Sequence, residues 1–228
     1  MDATERFAAA VAAPATEMRL DVAAFALAAH AHRGLDIDAA CAGLDTLAGD
    51  CPQPTFDGLR TFLFEELGFR GNRRDYEDPE NSFLDAVVER RVGIPITLSV
   101  LMIEIGRRIG VTVHGVGMPG HFLVMDAARD GVWCDPFHGG ALYDSEGCRR
   151  LFAQVHGNAR GFSRALLAPT DSRAIVSRIL ANLEGSRLAA EPVALSWLCE
   201  LHLQIPDLPP EQRDRIAAAQ RGVRARWN

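Results

Sequence analysis

Residues 93–137 read GIPITLSVLMIEIGRRIGVTVHGVGMPGHFLVMDAARDGVWCDPF, and this stretch decides the fold. Pro95 suits the first position of a helix, where its missing N–H costs nothing. From there to Ile109 the apolar residues run nearly all round, the mark of a helix buried on every side. Three short strands are expected next, at 111–117, 121–125 and 132–135, with Gly117, Pro119 and Gly120 bending the chain into the second. With 126–130 as the hairpin loop, Met125 faces Gly131, Leu123 faces Trp133 and His121 faces Asp135. Directly opposed side chains have Cβ atoms about 4.5–5.5 Å apart, within reach of an imidazole–carboxylate hydrogen bond. A buried helix on a small antiparallel sheet makes the chain α+β. By spacing alone, a His and an Asp satisfying each other at a sheet edge is the simpler reading of the pair.

Upstream, the first third reads as helices. One spans 17–32 with Leu20, Ala23, Ala24, Leu27 and Ala31 near a helical stripe. A second spans 36–48, capped by Asp36, and a third 55–67, ended by Gly68. The segment GFRGNRRDYEDPENS (68–82) is a polar loop by composition. It leads to a helix at 82–91 that Asn81 is expected to cap, with Arg90 pairing Asp85, Glu89 or a more distant acid. Downstream of the Gly139-Gly140 turn a helix is expected at 145–155. From 171 the pattern is helical throughout, with helices at 173–189, 193–204 and 211–226 punctuated by Pro192, Pro209 and Pro210.

Bulk properties narrow the function classes. At 228 residues the chain makes one domain, or a domain with a helical appendage. A net charge of −6 leaves no electrostatic footprint for nucleic acid or acidic lipid. The short basic run at Arg221, Arg224 and Arg226 reads as a solvated helix end. The five cysteines, Cys41, Cys51, Cys134, Cys148 and Cys199, show no C-x-x-C spacing. Their odd number, with no signal-peptide pattern and no apolar run of membrane-spanning length, points to reduced thiols in the cytoplasm.

Arg107 and Gly110 at the end of the central helix, His121-Phe122 and Asp135-Pro136 together resemble the core of the transglutaminase-like proteins, a branch of the papain-type thiol enzymes. Two longer blocks, NSFLDAVVERRVGIPITLS (81–99) and MPGHFLV (118–124), are similar to the SirB-type bacterial members. The resemblance implies a papain-like core, about 81–156, within a domain spanning 1–168. It also implies a tetratricopeptide-like helical segment at 169–228. A functional or formerly functional His121–Asp135 dyad follows, with a cleft shaped by Asn81, Gly93, Pro95, Pro119, Gly120 and Phe122.

The departure lies at the nucleophile. Counting back from Gly110, the cysteine's place at the helix start is taken by Pro95, as is usual in SirB-type sequences. Proline cannot attack, and it has no N–H to hold a developing oxyanion. Thr97 lies about 200° around the helix from Pro95, and Ser99 recedes about 6 Å along the axis. Both read as helix-packing residues bonded back to the preceding turn, and Cys134 reads as a buried thiol. His138 offers a metal site with His121 and Asp135, but a loop-capping or solvated histidine is the expectation, so no metal or cofactor is expected. Two functions stay open. One is a non-catalytic peptide- or protein-binding regulatory domain; the other is an atypical hydrolase whose His121, oriented by Asp135, activates water.

Overall fold

The computed structural model describes residues 1–225, apart from the side chain of Arg224. Asp2 and Glu5 close a capping box that starts helix α1 (Ala3–Ala12), a helix the sequence reading passed over. Next come α2 (Leu20–Ala31) and α3 (Ile37–Gly49), the latter capped as expected by Asp36, whose carboxylate accepts from the N–H groups of Asp38 and Ala39. Thr55 caps α4 (Phe56–Arg60), which passes into a π-helical turn at Thr61–Glu66. A two-residue strand, β1 (Arg70–Gly71), and a 3₁₀ turn (Pro79–Ser82) precede α5 (Leu84–Arg90). Strand β2 (Val92–Gly93) pairs with β1 in parallel and runs straight into α6 (Pro95–Arg108), with Pro95 in its first turn.

The reading of α6 as buried all round is borne out: eleven of its residues are buried, from Pro95 to Gly106. It packs against α2, α3, α4 and α5 on one side and the sheet on the other. A Cβ on Gly106 would stand 2.8 Å from the Val111 carbonyl oxygen, so glycine there lets the chain turn back tightly onto the helix.

The sheet is an antiparallel meander of β3 (Val113–Val116), β4 (Leu123–Asp126), β5 (Trp133–Asp135) and β6 (Ala141–Tyr143). Its register differs from the one expected. Val124 pairs with Cys134 and Met125 with Trp133, a slip of two residues that carries the loop to 127–132. A two-residue slip preserves which face each side chain takes. Continuing the observed pairing sets Asp135 opposite Leu123, diagonal to His121. His121 itself precedes β4, and β6 is an added strand that the sequence reading missed.

The sheet is covered on both faces. Val113, Val124 and Cys134 join the main core around α6, while Val116, Leu123 and Trp133 join a second, smaller core. Helix α7 (Ser145–His156), capped by Asp144, lays Cys148, Leu151 and Phe152 over that second core. The C-terminal helices are α8 (Ser172–Glu184), α9 (Pro192–Gln204) and α10 (Pro210–Ala225). The expected end of the last helix at Arg226 lies outside the described residues. Among the described residues no helix is long and apolar enough to cross a membrane.

Candidate functional site

Asp135 ends β5 two residues after Trp133, so it leaves the sheet on the face that α7 covers. It is fully buried, and both of its oxygens are used. Oδ1 accepts the backbone N–H groups of Phe137 at 3.0 Å and His138 at 3.2 Å, which folds the Pro136–Gly139 turn around the carboxylate. Oδ2 takes two imidazoles: His121 Nε2 at 2.8 Å and His138 Nδ1 at 2.7 Å. The expected His121–Asp135 pair therefore forms, by a diagonal contact rather than a direct one. His138 is neither a loop cap nor a free side chain but the second ring on the same oxygen. Burial alone would push the Asp135 carboxyl up; hydrogen bonds and charge from the two histidines outweigh it and bring the pKa down to about 2.

Other elements hold the histidines in place. Arg178 of α8 donates to the Met118 carbonyl at 3.0 Å and the His121 carbonyl at 2.9 Å, and its guanidinium lies over the Phe122 ring at 5.4 Å. It has no acidic partner among the described residues, and burial pushes its pKa below the usual arginine value. Phe137 packs edge-on to both His121 and His138. A Cβ on Gly71 would stand 2.3 Å from a carbon of the Phe137 ring, so glycine lets β1 approach this turn. Two backbone hydrogen bonds then lead toward α6: Gly71 N–H to the Phe137 carbonyl at 3.1 Å, and Asn72 N–H to the Gly93 carbonyl at 2.9 Å.

The six expected cleft residues are divided. Asn81, Gly93, Pro95 and Phe122 are buried, whereas Pro119 and Gly120 are exposed. His121 is only 7% exposed. Asn81 does not cap α5; Phe83 occupies that position without a side-chain bond. Instead the Asn81 amide is spent on the loop before it. Its Oδ1 accepts from Asn72 Nδ2 at 2.9 Å and its Nδ2 donates to the carbonyls of Asp75 at 2.8 Å and Tyr76 at 3.3 Å. Arg90 pairs with Asp78 at 2.8 Å. Ser99 bonds back to the Pro95 carbonyl at 2.8 Å as expected, but the buried Thr97 hydroxyl has no partner among the described residues. Cys134 is buried, and burial pushes its thiol far above the ordinary range.

His121, Asp135 and His138 form a group with metal-ligand spacing, their ligand atoms lying within 4.8 Å of one another. With Asp135 ionised, each imidazole donates an N–H to the shared oxygen, and the same nitrogens and oxygen are the atoms that would ligate a cation. A second polar chain runs through the C-terminal helices. Ser177 Oγ lies 2.8 Å from His202 Nε2, and His202 Nδ1 lies 2.6 Å from Glu184. The order is that of a hydrolytic triad, yet Ser177 sits inside a helix whose backbone N–H groups are already used, with none left for an oxyanion. Gln212 of α10 donates to the same hydroxyl at 2.9 Å, which makes the chain a polar staple of three helices.

A sequence model of the Transglutaminase-like superfamily matches residues 19–181. A UPF0162 protein of Xylella fastidiosa is 39% identical over 174 residues, 73% of this chain and 62% of that protein. A UPF0162 protein of Vibrio cholerae is 31% identical over 164 residues, 70% of this chain and 60% of its own length. The chain thus spans about three fifths of these relatives. F-box only protein 21 of Homo sapiens is 32% identical over 129 residues, 57% of this chain but 18% of that protein. No solved structure matches.

Proposed function

The chain belongs to the transglutaminase-like superfamily, and on that premise we propose that it is a member of the SirB-type branch that has lost thiol catalysis and acts as a peptide- or protein-binding regulatory domain. The observation that carries the reading is Pro95 in the first turn of the buried helix α6, where the superfamily's nucleophile would stand, in a chain that keeps a hydrogen-bonded His121–Asp135 pair. A proline supplies neither a thiol nor an N–H at the helix start. Burial also disfavours the thiolate at three native cysteines, pushing Cys41 and Cys199 up to about 11 and Cys148 up to about 12. The F-box relatives carry the matched stretch as a small part of a much longer chain, which fits a module used for recognition. In this reading residues 1–168 form the binding domain, 169–228 a tetratricopeptide-like segment that adds contact surface, and the protein works in the cytoplasm.

The general-base alternative asks more of the site. It needs water at an imidazole that is 7% exposed, and oxyanion donors beside a helix that opens with proline. The test is Pro95→Cys, which restores both a thiol and an N–H at a helix start. In a preserved thiol-enzyme frame the new cysteine alkylates at neutral pH at least ~10-fold faster than the native thiols, and His121→Ala slows it. A new thiol of ordinary reactivity, indifferent to His121, would overturn the reading of Pro95 as the vacated nucleophile position.

A further inference from the structure

The loop that Asn81 pins down does more than support the site. Between β1, β2 and the turn after Asp135 lies an open cavity of about 630 Å³. Its walls carry Arg70, Arg73, Arg74 and Arg90 together with Phe137 and His138, and no carboxylate is among the lining residues described. In a chain of net charge −6 this is a local reversal of sign. Arg90 is balanced by Asp78 at 2.8 Å, and Arg70 gives one N–H to the Gly68 carbonyl at 3.3 Å. The guanidinium groups of Arg73 and Arg74 have no hydrogen-bond or ion-pair partner among the described residues, although Asp75 is adjacent and pairs instead with Arg187 at 2.6 Å.

The arrangement is built rather than incidental. Asn72 Oδ1 accepts the backbone N–H groups of Arg74 at 3.2 Å and Asp75 at 3.1 Å, and the buried Asn81 amide locks Asn72 in turn. The two unpaired arginines therefore stand on a fixed backbone. His138 is half-buried and holds its Nδ1 against Asp135, which leaves its Nε2 as the ring nitrogen free to meet a ligand in the cavity it lines.

We propose that this cavity binds the phosphoryl group of a ligand, held by Arg73 and Arg74 with His138 at its inner wall. A carboxylate is satisfied by one guanidinium fork, whereas a phosphoryl group brings three terminal oxygens and close to two charges, which suits several guanidiniums at once. The cavity volume lies in the range of sites for whole small molecules, so the phosphoryl group is one end of something larger. The ring of Phe137, with Tyr76 edge-on to it at 5.8 Å, gives the remainder an apolar wall. The same chemistry is offered by a phosphorylated metabolite or by a phosphorylated side chain. The inference deepens the binding-domain reading by naming the ligand class beside its dyad, and rests on that reading only for the use made of the ligand.

The test is an NMR titration of the ¹³C-labelled histidine rings of the full chain with inorganic phosphate, then with a short phosphoserine peptide, against sodium chloride at matched ionic strength. Phosphate is expected to move the His138 signals saturably, and Arg73→Ala with Arg74→Ala to weaken binding at least ~10-fold while circular dichroism stays unchanged. Should the alanine pair unfold, Arg73→Lys with Arg74→Lys carries the same test. Affinity is then expected to drop several-fold, because an ammonium lacks the two-pronged fork. A peptide that binds more tightly than free phosphate assigns the group to a side chain, and the reverse order to a small molecule. Unsaturable shifts that chloride reproduces, or equal binding by wild type and the folded variants, would sink the proposal. The Pro95→Cys reactivity is read separately, so either idea can fall without the other.

Discussion

At the scale of single residues, Asp135 concentrates more constraint than any other side chain of the site. One carboxylate holds two imidazoles and two backbone N–H groups. Asp135→Asn keeps one acceptor for the backbone but sets an NH₂ against two ring nitrogens. The expected cost is about 2–3 kcal/mol by urea unfolding, with faster proteolysis at the Phe137–Gly139 turn; an unchanged midpoint would show that the imidazoles contribute little. The His121–Asp135 pair was legible from sequence because strand alternation fixes faces even when the register is off by two. His138 was not, since a histidine three residues past an aspartate is usually solvated. Nor was the role of Asn81, whose identity suits a helix cap as well as a buried clamp. Arg178 left no local signal at all, because it acts on a carbonyl 57 positions away in sequence.

At the scale of elements, α6 was the easiest to read and the ionic layer beneath it the hardest. The buried carboxylates of Asp21 on α2 and Glu104 on α6 are bridged by Arg108, whose side chain is 7% exposed. Arg19 adds a bond to Asp21 at 2.6 Å, and Glu104 also accepts the Leu20 N–H at 3.1 Å. Arg108→Ala would leave two buried acids short of a partner, at a cost of about 3–5 kcal/mol. Arg108→Met is expected to lose about as much, since the carboxylates and not the missing volume set the penalty. If methionine instead restored most of the wild-type stability in urea, packing would outweigh charge at this position. Sequence patterning found the apolar stripe of α2 and the all-round apolar face of α6 but not this network, because Asp21 and Arg108 are 87 residues apart. Short strands escaped for a related reason: β1 and β2 have two residues each, too few for any alternation to show. The capping box of α1, by contrast, is written in the sequence as Asp2 and Glu5.

At the scale of the whole molecule, two buried acids set the response to acid. Burial would raise the Asp21 carboxyl, but hydrogen bonds from Arg19 and Arg108 outweigh it and hold its pKa at about 2, like that of Asp135. Both folded values lie below the unfolded aspartate value of about 3.9. Their contribution is therefore complete above about pH 5 and is lost as pH falls through 4 toward 2. Urea stability measured from pH 6 to pH 2.5 should decline over that window, and more shallowly in Asp21→Asn; parallel curves would show that Asp21 is not responsible. The sheet that separates the two cores has a further consequence, one of kinetics. The main core joins most of the helices, whereas the smaller one rests on eight buried residues beneath α7 and the segment behind it. A layer secured so lightly opens on its own, ahead of global unfolding. Amide hydrogens of α7 and β6 should thus exchange with solvent faster than those of α6. Because Asp135 leaves the sheet on that same side, each such opening would briefly uncover the dyad, making access to His121 a matter of how often α7 lifts rather than of a permanent entrance.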